Sequence, residues 1–162
     1  MEEGKNVGKA QKKNTRKISY NNMKLFFAEN KRIDAVAYCE PFGGAIYCSA
    51  SSSGLSVTIE GGTISGNTAY RGGFMCSYGA SSVISNVTFT GNEVTNSGGA
   101  IYVNGTNATI SKSVFEMNNV SQAGGAIFVH GNNTKILDSN FTKSHATIGG
   151  IIYVEGSNAV IN

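Results

Sequence analysis

The sequence contains no tryptophan and a single proline, and only 14% of its 162 residues are charged. It has no apolar run of about 18 residues or more, so a membrane-spanning helix is not expected. The short apolar stretch at residues 23–28 ends at Glu29, so a signal peptide is not expected either. Glycine is abundant by contrast, with 21 residues. This composition argues against an ordinary helical globule, and the length allows one domain.

The net charge of +3 conceals an uneven distribution along the chain. Residues 1–32 contain nine Lys or Arg against three Glu, whereas the remaining residues contain four against seven acidic ones. A basic tail can contact nucleic acid or anionic lipid, but this one lacks the interleaved aromatic residues of nucleic-acid-binding segments. We therefore expect residues 1–23 to be a disordered leader, residues 24–162 to form the folded domain, and nucleic acid not to be a partner.

The three cysteines are an odd number, which argues against a complete disulfide framework. A bridge between Cys48 and Cys76 is conceivable, because they lie about one repeat apart. Adjacent positions on a strand point to opposite faces, however, which favours packed thiols over a disulfide. Cysteine and histidine do not occur at the spacing of metal ligands, so neither a metal nor another cofactor is expected.

Two short motifs alternate along the chain with a period near 25 residues. Gly-Gly-Ala-Ile or a near variant begins at residues 43, 72, 98, 124 and 149, and Phe-x-x-Asn or a variant begins at residues 64, 89, 115 and 141. The residues that carry the motifs are Gly43, Gly44, Ile46, Gly72, Gly73, Phe89, Asn92, Gly98, Gly99, Ile101, Phe115, Asn118, Gly124, Gly125, Ile127, Phe141, Gly149 and Gly150. A fixed period of this length indicates stacked repeats, in which one coil cannot bury its apolar face alone.

Each repeat consists of short alternating apolar and polar segments separated by Asn- and Gly-rich turns, without a helical period. We predict parallel strands in which each residue lies above its counterpart in the neighbouring coil. The predicted core columns are Ile46, Met75, Ile101, Ile127 and Ile152; Ile59, Ile84, Ile110, Ile136 and Ile161; and Ile64, Phe89, Phe115 and Phe141. The predicted corner columns are the ladder Asn67, Asn92 and Asn118, and the positive-φ glycines Gly79, Gly105, Gly131 and Gly156.

The two ends of the repeat array lead to two further expectations. Residues 27–30 match the second motif in isolation, so half a coil with Phe27 in the phenylalanine column is expected before the first tetrad. Residues 159–162 begin a further strand and then stop, so we expect a truncated coil and a piece of a longer repeat protein. Apolar columns that end without a cap predict self-association through the C-terminal coil.

The alternation of the two motifs over residues 24–162 resembles the polymorphic outer-membrane protein (Pmp) repeats of chlamydial surface proteins and of repeat families in some protists. The resemblance implies a right-handed parallel β-helix of the pectin-lyase-like type, with about five coils of 25–26 residues. It also implies display at the cell surface or outer membrane, or secretion, and adhesion to a protein or glycan on another cell.

A catalytic constellation is not evident in the sequence. The two aspartates, Asp34 and Asp138, fall on different coils, and His130 falls on a turn where a solvated side chain is expected. We therefore predict a protein that is not an enzyme. A carbohydrate-active β-helix (a polysaccharide lyase or hydrolase, or a sugar-binding module) and a non-functional gene fragment remain as alternatives.

One aromatic column is expected to face away from the core. It consists of Tyr47, Tyr102, Phe128 and Tyr153. We expect its rings chiefly to stack on one another along the solenoid. Outward-facing aromatic rings also occur in binding sites for sugars or proteins, so the column is a possible partner-binding face.

Overall fold

The computed structural model describes residues 44–48 and 57–162, together with the strands Met23–Phe26 and Arg32–Ile33. These residues form 19 β-strands and no helix. Residues 1–22 of the expected leader, residues 27–30 and Gly43 lie outside the described residues. The disorder expected for the leader therefore stays a prediction.

Every strand pairs in parallel with its counterparts in the neighbouring coils, and the strands line up in four sheets. Sheet I contains β3 (Ile46–Cys48), β7 (Met75–Ser77), β11 (Ile101–Val103), β15 (Ile127–Val129) and β18 (Ile152–Val154). Sheet II contains β1 (Met23–Phe26), β4 (Val57–Glu60), β8 (Val83–Ser85), β12 (Thr109–Ser111), β16 (Lys135–Leu137) and β19 (Val160–Ile161).

The other two sheets complete the perimeter of each coil. Sheet III contains β2 (Arg32–Ile33), β5 (Thr63–Ser65), β9 (Thr88–Thr90), β13 (Val114–Glu116) and β17 (Asn140–Thr142). Sheet IV contains β6 (Thr68–Arg71), β10 (Glu93–Ser97) and β14 (Asn119–Val120). The chain visits sheets I, II, III and IV in turn, and the five strands of sheet I mark four full turns of a parallel β-solenoid. The predicted all-β solenoid is confirmed, with about four turns in place of five.

The three predicted core columns are present in the predicted register. Ile101 is aligned with Met75 and Ile127, Ile110 with Ile84 and Ile136, and Phe115 with Phe89 and Phe141. The rings of Phe89 and Phe115 stack with centroids 4.8 Å apart and planes 13° apart. These side chains form one continuous core, so the apolar face of each coil is buried by its neighbours.

The predicted asparagine ladder is also confirmed, at the corner between sheets III and IV. The Asn67 side-chain amide donates to Asn92 Oδ1 at 2.9 Å, and the Asn92 amide donates to Asn118 Oδ1 at 2.7 Å. The Asn118 amide ends the ladder on the Phe89 carbonyl at 3.0 Å. All three asparagines are fully buried. The ladder therefore satisfies buried polar groups that would otherwise be costly.

The two glycines of each tetrad serve different purposes. The first has a positive φ, as at Gly98 (69°) and Gly124 (68°), a conformation that other residues adopt at a cost. The second is needed for space, because a Cβ on Gly99 would overlap the carbonyl oxygen of Gly125 in the next coil. In the last coil, a Cβ on Gly150 would meet no atom within 4 Å.

The prediction of positive φ for the turn glycines Gly79, Gly105, Gly131 and Gly156 is wrong, because none of them has a positive φ. Gly105, Gly131 and Gly156 are required by close packing instead: a Cβ on Gly105 would overlap the carbonyl oxygen of Gly79 below it. The left-handed positions at this corner are two residues later, at Ser81, Asn107, Asn133 and Asn158.

The expected half coil before the first tetrad exists, but with a different alignment. Leu25 is aligned with Ile59 in sheet II, and Ile33 with Ile64 in sheet III. Ile33 thus takes the backbone position that the sequence analysis assigned to Phe27. The isolated Phe-x-x-Asn match at residues 27–30 was misleading because a sequence motif alone does not define the register.

The four corners differ in how constant their length is. The spacing from Ile84 to Phe89 and from Phe89 to Val94 is five residues, and the coils from Ile59 onward repeat it, whereas eight residues separate Leu25 from Ile33 in the first half coil. The corner between sheets IV and I varies: six residues separate Ala69 from Met75, and seven separate Val94 from Ile101. A β-bulge between Val94 and Ser97 absorbs the extra residue.

Alanine substitutions at the second tetrad glycine test the stacking directly. Gly99→Ala places a methyl group against a backbone carbonyl that cannot rotate away, and we expect a loss of about 1–3 kcal/mol or more in unfolding free energy. Gly150→Ala is the matched control, and it should be neutral or stabilising by up to about 1 kcal/mol. Chemical denaturation followed by circular dichroism measures both. Equal losses in the two variants would contradict the role given to the second glycine.

Candidate binding surface

The predicted aromatic column lies on the side of sheet I that faces away from the central core. Tyr102 is aligned with Cys76 in the coil before it and with Phe128 in the coil after it, and Phe128 is aligned with Tyr153. The Tyr102 and Phe128 rings stack with centroids 5.0 Å apart and planes 11° apart. The expected stacking ladder is therefore present.

The column faces away from the core, as expected, but its middle members are covered. Tyr102 and Phe128 are each only 6% exposed, and they form a second small cluster with Cys76 and Ala123. Ala123 belongs to the corner that precedes the next tetrad, so that corner folds over the rings. Tyr47 and Tyr153, at the two ends of the column, are half-buried. Partner binding by these rings stays a prediction, and only the column ends offer accessible surface for it.

Arg71 provides a further part of the cover. Its guanidinium carbon lies 5.1 Å from the centroid of the Tyr102 ring and 5.7 Å from that of Tyr70, within cation–π range. Its Nε donates to Asn96 Oδ1 at 3.2 Å, and Nη1 donates to the Tyr78 hydroxyl at 3.5 Å. Burial raises the pKa of Tyr102 above its ordinary value, while the Arg71 charge acts in the opposite direction. Arg71 was not predicted as a site residue, because the other coils have no arginine at its position.

The corner next to Arg71 carries a short network of side-chain amides. The Asn96 amide nitrogen donates to Gln122 Oε1 at 2.8 Å and to the Tyr70 hydroxyl at 3.2 Å. The Ser97 hydroxyl donates to Asn96 Oδ1 at 2.7 Å. These contacts connect three successive coils on the surface.

The outer face of sheet IV holds a shallow groove of about 260 Å³. Its lining residues are Thr68, Ala69, Glu93, Val94, Thr95, Asn119 and Ser121. Glu93 is aligned with Thr68 on one side and with Asn119 on the other, and Asn119 forms a parallel bridge with His145. The resulting row of four exposed polar side chains, spaced by one coil each, is named here the outer row. Sequence analysis missed this row because its members are chemically different and show no repeat.

His130 has a partner that sequence analysis missed. Its Nδ1 lies 2.6 Å from Glu155 Oε2, with both side chains about half exposed. Each residue directly precedes a turn glycine, Gly131 or Gly156, so the repeat period could have paired them. An exposed pair of this kind stabilises the fold little.

Within the part of the chain that the structure describes, histidine, cysteine, aspartate and glutamate side chains form no group of three or more that could hold a metal ion. The described residues also include no helix that is long and apolar enough to cross a membrane.

Comparison with known proteins gives one match. The family model described as "Right handed beta helix region" matches residues 14–162. Searches of curated proteins and of solved structures found no match.

The burial of the Tyr102 side chain predicts a specific loss of stability at alkaline pH. Its pKa is raised above 10.0 in the folded chain, so the folded state retains a proton that the unfolded chain releases. The contribution is complete below the unfolded pKa of about 10 and is lost as the pH rises through the folded pKa. Tyr102→Phe should therefore unfold in urea with a weaker dependence on pH above about 10 than the parent protein. An unchanged alkaline slope would contradict the raised pKa of Tyr102.

Proposed function

Because the chain belongs to the family of right-handed β-helix proteins, we propose that it is a non-enzymatic segment of a surface or adhesin-type protein of the Pmp repeat kind. In this proposal the protein is displayed at the cell surface or outer membrane, or is secreted. It binds proteins or glycans of a host or neighbouring cell through the side of the solenoid.

The observation that supports this proposal is the outer row on sheet IV. Its four residues, Thr68, Glu93, Asn119 and His145, are exposed and lie on successive coils. The first three line the groove. Successive coils lie about 4.8 Å apart, so the row presents polar groups at a regular spacing along the solenoid axis. Such a row offers many weak contacts, and the affinity increases when several copies bind together.

The same groove does not favour a hydrolase. Glycoside hydrolysis commonly uses two carboxylates on either side of the scissile bond. Glu93 is the single carboxylate among the residues that line the groove, and Glu116 lies on sheet III. The groove is therefore better suited to binding than to this chemistry.

The proposed function is tested by adhesion of the labelled chain to a panel of fixed bacterial and animal cells, measured by flow cytometry. We expect saturable binding to at least one cell type, reduced several-fold in the triple variant Thr68→Ala, Glu93→Ala and Asn119→Ala. The control, Glu60→Ala with Lys135→Ala, alters the exposed face of sheet II and should bind normally. The proposal is wrong if saturable binding is absent, or if the chain cleaves a polysaccharide and Glu93→Gln abolishes the cleavage.

We also propose that isolated chains self-associate through the last described coil. Ile148 and Ile161 are each 54% exposed there and Val160 is 49% exposed. The open position above Gly150 leaves room for another backbone. Sedimentation velocity should show dimers or larger species that dissociate in the variant Ile148→Lys, Ile161→Lys. A parent chain that stays monomeric at high concentration would contradict this.

A further inference from the structure

Asn104 and Gly105 form the only asparagine–glycine pair in the sequence. They lie at the corner between sheets I and II, directly after β11 (Ile101–Val103). We propose that Asn104 is a site of intramolecular deamidation and that the stacked coils protect it. The modification therefore marks chains in which the coils have separated at this corner.

The reaction is an attack of the Gly105 backbone nitrogen on the side-chain amide carbon of Asn104. The bond from this nitrogen to Cγ forms, the bond from Cγ to Nδ2 breaks, and ammonia leaves with the proton of the Gly105 N–H. Water then opens the cyclic imide to aspartate or to isoaspartate. Glycine favours the reaction because the attacking residue has no Cβ to hinder the approach.

In the folded chain the attacking nitrogen is already engaged. The Gly105 N–H donates to the Ser77 carbonyl of the preceding coil at 3.3 Å, and the Asn104 N–H donates to the same oxygen at 2.7 Å. Gly105 is buried, and Asn104 is half-buried. Ring closure must therefore give up a backbone hydrogen bond in a buried position, which costs free energy.

The neighbouring coils also oppose the backbone rotation that ring closure needs. A Cβ on Gly105 would overlap the carbonyl oxygen of Gly79 in the preceding coil. A Cβ on Gly131, in the next coil, would overlap the carbonyl oxygen of Gly105 and lie 2.8 Å from that of Asn104. The peptide group between Asn104 and Gly105 is thus enclosed by backbone on both sides. The reaction requires local opening of the corner.

The isoaspartate product prevents the corner from closing again. Its side-chain methylene becomes part of the main chain, so the path from residue 104 to Gly105 is longer by one carbon. The added carbon displaces Gly105 from its place between Gly79 and Gly131, where the backbones leave no free space. The aspartate product keeps the ordinary main chain and should still stack.

The experiment follows deamidation of the 162-residue chain in mildly alkaline buffer, with and without guanidinium chloride, by mass spectrometry of the tryptic peptide 72–112. This peptide also contains Asn96 and Asn107, which do not precede glycine and serve as internal comparisons. We expect Asn104 to react fastest of the three in denaturant. Without denaturant it should react at least about tenfold more slowly, because only opened molecules react.

Glycine variants separate local opening from a general loss of stability. Gly131→Ala places a methyl group against the Gly105 carbonyl and leaves the reacting pair intact, so it should accelerate the reaction several-fold in buffer but not in denaturant. Gly156→Ala overlaps the Gly131 carbonyl one coil further on and is the matched control, which should react more slowly than Gly131→Ala. Gly150→Ala, which meets no atom within 4 Å, should react like the parent chain.

Hydrogen exchange of the Gly105 amide gives a second measurement that does not depend on the folding of a variant. In the parent chain, exchange of this amide and deamidation of Asn104 should increase in parallel as denaturant is added. The isoaspartate product, separated by chromatography and returned to buffer, should unfold at a lower denaturant concentration than Asn104→Asp.

Protection by the stacked coils is refuted if Asn104 reacts equally fast with and without denaturant, or if deamidation and exchange of the Gly105 amide do not change together. It is also refuted if Gly156→Ala accelerates the reaction as much as a folded Gly131→Ala does. Faster reaction of Asn96 or Asn107 in denaturant rejects Asn104 as the preferred site. An isoaspartate product as stable as Asn104→Asp contradicts the effect on stacking.

Discussion

Parallel hydrogen bonding between each coil and the next, in a single register, is the constraint on which this structure depends. Because neighbouring backbones lie about 4.8 Å apart, few kinds of side chain fit at each buried position. An apolar residue must lie above another apolar residue, phenylalanine rings stack nearly face to face, and buried amides bond in series. Where the backbones of neighbouring coils approach closely, as at Gly99 and the Gly125 carbonyl, a side chain does not fit. The repeated motifs of the sequence are therefore requirements of stacking and carry no information about a ligand.

This explains why so much of the fold was predictable from the sequence. The period alone predicts Ile110 beside Ile84 and Asn92 beside Asn118, and these alignments are confirmed. The errors occurred where the repeat is not informative. A glycine column shows that a side chain is excluded, but it does not distinguish a positive φ from a close contact. The burial of Tyr102 depends on Arg71 and on a corner without a periodic signal, so the sequence could predict the direction of that ring but not its cover.

The candidate site was missed for the same physical reason. Thr68, Glu93, Asn119 and His145 occupy equivalent positions on an exposed face, where stacking does not require similar side chains. On an exposed face, where stacking does not constrain the side chains, a column is therefore expected to contain chemically different residues. The family membership establishes the scaffold, and the function must be sought in such irregular columns.

The variable corner between sheets IV and I has a consequence for how this scaffold can change. The corner between sheets III and IV keeps a spacing of five residues, whereas this one accepts six or seven and absorbs the difference in a bulge. An insertion there leaves the apolar columns in register, and so does a longer corner between sheets I and II: thirteen residues separate Ile46 from Ile59 where nine separate Met75 from Ile84, and both pairs are aligned. The groove lies beside the corner between sheets IV and I. The solenoid can therefore alter the outline of its binding surface one coil at a time, by loop length alone, without repacking its interior.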